Sequence, residues 1–448
     1  MNRCLLLFFD NEYQTQLKEQ VVSTDGFEYT LRNYRDVFLK DIVKLDNINL
    51  SCNCKECSTC FACNPISNKF ESYMNDLCED IKTKTELIHN LFDEIIDIYI
   101  SALSISRSTA MKKLDDYLSN RCAGFITQDP FFFSTPFFRV RKTDKYDGSD
   151  IHELFHVPFN KRQSICNQRF SLTGVPLLYL SESIPLALKE IDCNNNRFNA
   201  AVFLPKYLNY RNESLYNMSN AFVDEILSIQ DSIDSDKTLS YKCASKIINT
   251  KHNIDYFLAH FILSQCLHYS AHKTRYDSFI PEYLLPQLLM DVISEKNWIG
   301  IRYQSCKSGI YESRDRTMHC VDNNICFKVP YSPTKYNDEM LKDFYYATWS
   351  NDEKLRKYSE LIHIMNDFIR LKDDMNRNGY VFPNYMSFTS DVMLHINKMN
   401  ETIGKRAYQR RKACKVEITL LYKLFEQLMP TLMEPEKNGI PKRIGTRK

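Results

Sequence analysis

"RFSLTGVPLLYLSESIPLALKE" (169–190) is the stretch whose reading decides the fold. A Gly174-x-Pro176 turn leads into an apolar run, Val175 to Leu180, that carries Tyr179 and has the composition of a strand. An amphipathic segment follows and ends on Glu190, so the whole reads as a strand running into a helix. Arg169, Tyr179 and Glu190 thus put a cation, a phenol and a carboxylate around one strand-to-helix switch. Either this is ordinary packing of helix on sheet, or it is one wall of a site for something anionic and polar.

The rest of the chain sets limits on that choice. Its 448 residues, 44% apolar and 13% aromatic, exceed the usual single-domain length and can bury a large core, so two to four domains are expected. The 58 basic and 56 acidic residues leave a net charge of +2, which gives no global field toward nucleic acid or an anionic membrane. Nucleic acid is therefore not an expected partner. The strongest basic stretch, "GKRAYQRRKACK" (404–415), spreads its charges over more than one helix face and reads as solvated surface. The apolar run Leu5 to Phe9 is too short for a signal-peptide core, and nothing later approaches the roughly 18 residues that span a bilayer. The expectation is a soluble, cytoplasmic protein without a membrane role, whose sixteen cysteines are reduced thiols, some of them metal-bound.

Four regions follow from patterning. Residues 1–66 are mixed and irregular and hold a cysteine cluster; residues 67–130 contain a helical hairpin, with Phe70, Met74, Leu77, Ile81, Ile88, Leu91, Ile95 and Tyr99 three or four apart along it. Residues 131–330 hold short β-branched and aromatic runs at 136–142, 175–180, 199–204, 298–304 and 324–329, with helical periods at 215–230, 253–270 and 281–294 between the third and fourth. Residues 331–448 are helical again, at 338–347, 352–373, 388–402 and 406–429, before a tail expected to be disordered. Strands mixed irregularly with helices make the fold class α+β: a central strand-rich domain between helical N- and C-terminal regions.

In "FFRVRK", alternation puts Phe138 and Val140 on one face and Arg139 and Arg141 on the other. On composition alone a solvated or salt-bridged arginine is the leading account of Arg139. The order of further motifs changes the weighting: "FFRVRK", "ELFHVPFNKR", "QRFSLTGVPLLYLSESIPLALKE", "PEYLLPQLLMDVISEKNWIGIRYQS" and "NNICFKV". In this order they closely resemble the RES family, named for arginine, glutamate and serine, over residues 137 to about 330.

That resemblance implies an ADP-ribosyltransferase-like fold for the central domain and an activity that degrades NAD, as in family members acting as toxins of toxin–antitoxin pairs. It places the catalytic roles on Glu190, Arg139 and Ser305 and the NAD-binding roles on Arg139, Arg169, Tyr179 and Ser305. It also implies that NAD is the substrate, and these side chains are expected to share a cleft. Because depleting NAD would stop the host cell, restraint by an antitoxin or inhibitory protein, by the flanking helices, or by a trigger such as infection is expected. Self-association is compatible with the resemblance. The chemistry suits the residue types. A carboxylate stabilises the oxocarbenium-like state formed when the nicotinamide–ribose bond breaks, guanidinium groups fork onto a pyrophosphate, and a phenol stacks on a base. Blander accounts stand beside these: Tyr179 as a core tyrosine, Glu190 as a helix-surface carboxylate, Ser305 as the start of a turn. Two rival functions remain, a transferase that modifies one macromolecular target and an inactive fold that binds nucleic acid.

"IHELFH" (151–156) matches His-Glu-x-x-His, yet Pro158 ends any helix two residues later, so zinc-protease chemistry is not expected there. Cys52, Cys54, Cys57, Cys60 and Cys63 in "CNCKECSTCFAC" suit structural zinc; an iron–sulfur run or plain thiols are the alternatives. If zinc is held there, protein purified without added metal carries it near stoichiometry and loses it in a Cys54→Ser/Cys57→Ser variant. Metal analysis showing clearly substoichiometric zinc and iron would remove the site.

Overall fold

The computed structural model describes residues 3–9, 11–46, 68–122, 135–143, 147–193, 197–206, 215–218, 254–271, 279–296, 298–307, 323–377, 388–403 and 411–433. Cys52, Cys54, Cys57, Cys60 and Cys63, most of the basic stretch 404–415, the tail, and most of the helical period expected at 215–230 lie outside the described residues. The strands in chain order are β1 (Arg3–Cys4), β2 (Leu45–Asp46), β3 (Phe137–Lys142), β4 (Leu177–Ser181), β5 (Phe198–Pro205), β6 (Leu215–Asn217), β7 (Gly300–Gln304), β8 (Asn323–Lys328) and β9 (Phe344–Trp349). The class is α+β, with helices dominating both ends of the chain. The chain forms two compact units, each gathered from three separated stretches. One takes Met1–Thr127, Cys166–Gly174 and Ser214–Gly309; the other takes Gln128–Ile165, Val175–Glu213 and Ile310–Lys448.

The first unit is largely helical. Residues 1–66, which the pattern presents as irregular, contain the helices Asn11–Gln20 and Phe27–Ile42. In the longer one Phe27, Leu31, Tyr34, Phe38 and Ile42 fall on one buried stripe. Aromatic residues occupy positions where aliphatics would have announced a helix, and their intrinsic helix preference is weak. The stripe is nonetheless well used: Phe38 meets Phe8 and Phe92 edge-on at 4.8 and 5.4 Å. The expected hairpin is three helices, Asn68–Thr83, Thr85–Ser104 and Arg107–Arg121. The last begins at a cap where Ser106 Oγ accepts the Thr109 N–H at 3.0 Å. The helix Ile254–Leu267 is buried on nearly every side, and the helix Leu284–Glu295 is tied to Arg107 through Asp291. Strands β6 and β7 pair in parallel, as do the two-residue β1 and β2.

The second unit is built on five antiparallel strands in the order β8-β4-β3-β5-β9. All eight residues of β5 are buried, as expected of a strand with neighbours on both edges and cover on both faces. The helix expected at 338–347 stops at Lys342, and "FYYATW" continues as β9 against β5. Its aromatic and β-branched residues favour a pleated surface, and the free edge of β5 supplies the hydrogen bonds. The helices Tyr358–Arg377, Phe388–Ile403 and Lys412–Met433 share one apolar core with β3, β5, β9 and the helix Ile184–Glu190. Phe368, Phe388 and Phe425 form its aromatic centre. Among the described residues, no helix is long and apolar enough to cross a membrane.

One buried histidine gives the first unit an acid-sensitive point. His260 is 4% exposed and its Nε2 lies 2.9 Å from the Asn217 carbonyl, as a neutral ring donating its proton would be placed. Burial lowers its pKa to about 4, against an opposing effect of that hydrogen bond. The unfolded chain therefore binds the proton first as pH falls. The stability contributed by the neutral ring is complete above about pH 6.5 and is lost as pH falls toward about 4, a change on the order of 3 kcal/mol. Denaturant titrations at pH 7 and pH 4.5 are expected to show a shallower acid loss for His260→Gln, which keeps a donor for Asn217 but cannot titrate.

Candidate active site

In the second unit, β4 runs into the helix Ile184–Glu190, and the helix start is well defined. Ser183 is its cap, Oγ accepting the Leu186 N–H at 3.3 Å, and Pro185 lies in the first turn, where its missing N–H costs nothing. Glu190 is the last residue, and its Oε1 accepts a hydrogen bond from Asn324 Nδ2 at 2.7 Å. Asn324 Oδ1 in turn accepts from Ser181 Oγ at 2.6 Å, and Ser181 and Asn324 are cross-strand partners in the β4–β8 ladder. The two contacts agree on the amide's orientation, since the carboxylate can only accept and the carbonyl oxygen takes the hydroxyl proton. A relay from a buried hydroxyl through a buried amide to the partly exposed carboxylate therefore sets the rotamer of Glu190.

Alternation in β3 is as expected: Phe138 and Val140 are buried while Arg139 and Arg141 are partly exposed. Arg139 Nη1 donates to the Tyr179 carbonyl at 2.6 Å, which brings two of the sequence-selected residues together. Tyr179 pairs with Cys326 across the ladder. Burial pushes the Cys326 thiol pKa far up; a hydrogen bond with Tyr179 and the Arg139 charge oppose the rise only in part, so the thiol stays protonated.

Nearby, both ring nitrogens of His156 are committed to backbone, Nδ1 at 2.8 Å from the Val157 carbonyl and Nε2 accepting the Asn337 N–H at 2.9 Å. His152 sits between Asp150 and Asp338. Burial disfavours its protonated form, but the hydrogen bonds to Asp338 and Asp150 outweigh that and raise its pKa. The helix carrying "IHEL" is only four residues long. Among the described residues, no group of three or more His, Cys, Asp or Glu side chains could hold a metal ion.

Arg169 and Ser305 belong to the first unit. Gly174, at φ +82°, occupies the left-handed region that a turn of this kind needs and that other residues adopt only with strain. Arg169 Nη1 and Nη2 donate to the carbonyls of Leu267, the last residue of the helix Ile254–Leu267, and of Tyr269 just beyond it, at 3.0 and 2.7 Å. Its guanidinium also lies 5.7 Å from the Tyr283 ring centre. Gln287, from the "PQ" motif, donates to the carbonyls of Gln168 and Ser171 and so holds the loop that carries Arg169.

A second cation works on the same helix end. Lys18, 3% exposed, donates to His268 O at 2.6 Å and to Gln265 Oε1 at 3.0 Å. Burial lowers its pKa to about 8. His268 is held neutral by burial and by the charges of Lys18 and Arg169, against a hydrogen bond from its ring to the Ser305 backbone. Ser305 is 0% exposed, and its Oγ accepts the Lys307 N–H at 3.0 Å, the turn-starting geometry. Arg169, Gln265, His268, Tyr303 and Gln304 line a shallow surface concavity with room for little more than a water molecule.

Arg139, Tyr179 and Glu190 thus lie in one unit and Arg169 and Ser305 in the other. Asn324, Lys18 and His268 escaped the sequence reading. Lys18 meets Gln265 across 247 residues, a separation at which no local pattern signals contact. Asn324 stood inside the quoted "NNICFKV", where the alternation of a strand could have marked it as facing the end of the β4 segment.

No family model matches the chain, and no solved structure matches it. It is similar to a Bacillus subtilis (strain 168) protein named "Putative toxin YopC", with 30% identity over 181 residues. The match takes 38% of this chain and covers 36% of the length of that protein.

Because Asn324 is 2% exposed and serves two partners, Asn324→Leu is expected to cost about 1–3 kcal/mol by leaving the Ser181 hydroxyl and one Glu190 oxygen without it. Urea denaturation of the two proteins at pH 7 measures the difference; equal midpoints would mean that the relay contributes nothing.

Proposed function

We propose that this chain is an NAD-degrading enzyme that breaks the nicotinamide–ribose bond and acts as a toxin. The observation that carries the reading is Glu190: a carboxylate at the end of a capped helix, oriented through one oxygen by a buried amide. Such a group, fixed before substrate arrives, can stabilise positive charge developing on a sugar without reorganising. Further support comes from the resemblance of residues 137 to about 330 to the RES family and from similarity to a protein whose name calls it a toxin.

In this reading the bond between the ribose carbon C1′ and the nicotinamide nitrogen breaks, and its electron pair goes to the pyridinium ring, which leaves as neutral nicotinamide. The sugar carbon becomes cationic and is stabilised by Glu190 until an acceptor adds and releases a proton. The acceptor is water, phosphate or a protein side chain. Within the second unit, Arg139 faces the pyrophosphate oxygens and Tyr179 lies against a base, the roles the resemblance assigns to them. A protein that drains NAD harms the cell that makes it, so an antitoxin or inhibitory partner belongs to the same proposal.

Nicotinamide release from NAD by the wild type and by Glu190→Gln tests it. The amide keeps the shape and removes the charge, and a loss on the order of 100-fold or more is expected. Equal release by both proteins would overturn the assignment of Glu190. With labelled NAD in a lysate, label on one band and little free ADP-ribose would mean transfer to a macromolecule instead. Intact NAD together with steeply salt-dependent binding of nucleic acid would replace the enzyme with a binding module.

A further inference from the structure

The C-terminal helices carry a group that reaches the start of the helix ending in Glu190. Glu417, in the helix Lys412–Met433, is 0% exposed. Its Oε2 accepts the Ile184 N–H at 2.8 Å, and its Oε1 lies 2.8 Å from His395 Nε2. Ile184 is the first residue of the seven-residue helix whose last residue is Glu190. The His395 ring stacks on Phe138, with centroids 6.2 Å apart and planes 28° from parallel, and Phe138 precedes Arg139 in β3.

We infer that Glu417 is a positioning residue for Glu190, acting through the helix between them; this rests on the reading of Glu190 given above. A helix of two turns has little stability of its own and takes its place from what holds its ends. Here the end is Glu190 itself, held by Asn324. At the start, Ser183 Oγ takes the Leu186 N–H, and Glu417 takes the Ile184 N–H, placing a carboxylate at the end of the helix where N–H groups point outward. Between these ties, Ile184 and Ala187 are embedded in the core that the C-terminal helices complete. Rotation by one residue would turn the Glu190 side chain by roughly 100° and break its bond to Asn324.

A pair such as Glu417 and His395 is a poor device for stability alone, because apolar side chains of similar volume fill such a space at no greater cost. What it supplies is direction: a carboxylate with one oxygen on Ile184 and the other on His395 has a single orientation. The C-terminal helices thereby belong to the working part of the protein.

The test uses full-length protein with Glu417→Gln, Glu417→Leu and the double variant Glu417→Leu/His395→Leu. The double variant removes both members, so neither the carboxylate nor the imidazole is buried alone and only the Ile184 N–H loses its acceptor; it is expected to fold even if the single leucine variant does not. Nicotinamide release is resolved into kcat and KM, and hydrogen exchange is followed over 184–190 and 412–433. Glu417→Gln keeps an acceptor for Ile184 and is expected to retain most of the wild-type kcat. The leucine variants are expected to lose roughly ten- to a hundredfold in kcat at little-changed KM. Their amides at 184–190 should exchange faster while 412–433 stays protected. A folded double variant with wild-type kcat, or with unchanged exchange at 184–190, would overturn the inference. Glu190→Gln is run alongside. If it is inactive while the double variant keeps full kcat, only this inference fails; if it keeps wild-type release, the reading of Glu190 fails, and exchange alone judges the clamp.

Discussion

The ladder between β4 and β8 is the constraint on which the proposed chemistry of the second unit depends. It sets Ser181 opposite Asn324 and Tyr179 opposite Cys326. Side chains on a strand alternate between faces, so a slip of one residue would carry Asn324 away from Ser181 and leave Glu190 without its amide. The same ladder places the Tyr179 carbonyl where Arg139 of β3 donates to it. The orientation of the carboxylate and of the guanidinium is therefore a property of strand register before it is a property of either side chain. Register is in turn secured by burial on both sides, Leu178 and Leu180 being almost wholly inaccessible and Ile325 and Phe327 likewise.

The first unit solves a different problem, how to keep cations at a buried helix end. The last carbonyls of a helix lack intrahelical donors and carry partial negative charge, so cations stabilise them. Around the end of Ile254–Leu267, Arg169 takes the carbonyls of Leu267 and Tyr269, and Lys18 takes that of His268 together with the Gln265 side chain. The cost shows in the lowered pKa of Lys18, which burial brings to about 8. Both cations are thus spent on the carbonyls and amide that follow this helix, and their charge serves to terminate it.

Local elements were legible where the composition was unambiguous. The five apolar runs of the centre are all strands, and the long aliphatic periods at 253–270 and 281–294 are helices. Legibility failed where aromatic residues did the work. Phe27–Ile42 looks irregular in sequence, because Phe and Tyr mark helix and strand alike, and only packing onto Phe92 and Phe8 decides for helix. The helical period expected at 338–347 runs on into residues 344–347, yet the open edge of β5 captures Phe344–Trp349 as a strand. The two compact units likewise divide at places no composition shift marks, because the chain crosses between them several times.

By itself the sequence determined the residue types of the candidate site and the strand-to-helix switch that carries three of them, since turn chemistry and apolar alternation act over a few residues. The tertiary structure decided which groups hold them: Asn324 on Glu190, the Tyr179 carbonyl on Arg139, the Leu267 and Tyr269 carbonyls on Arg169, Glu417 on the helix start. The reason is that hydrogen-bond partners of buried polar groups are chosen by proximity in space, with Glu417 meeting Ile184 across 233 residues of chain. Such partners leave no periodic trace, so only folding reveals them.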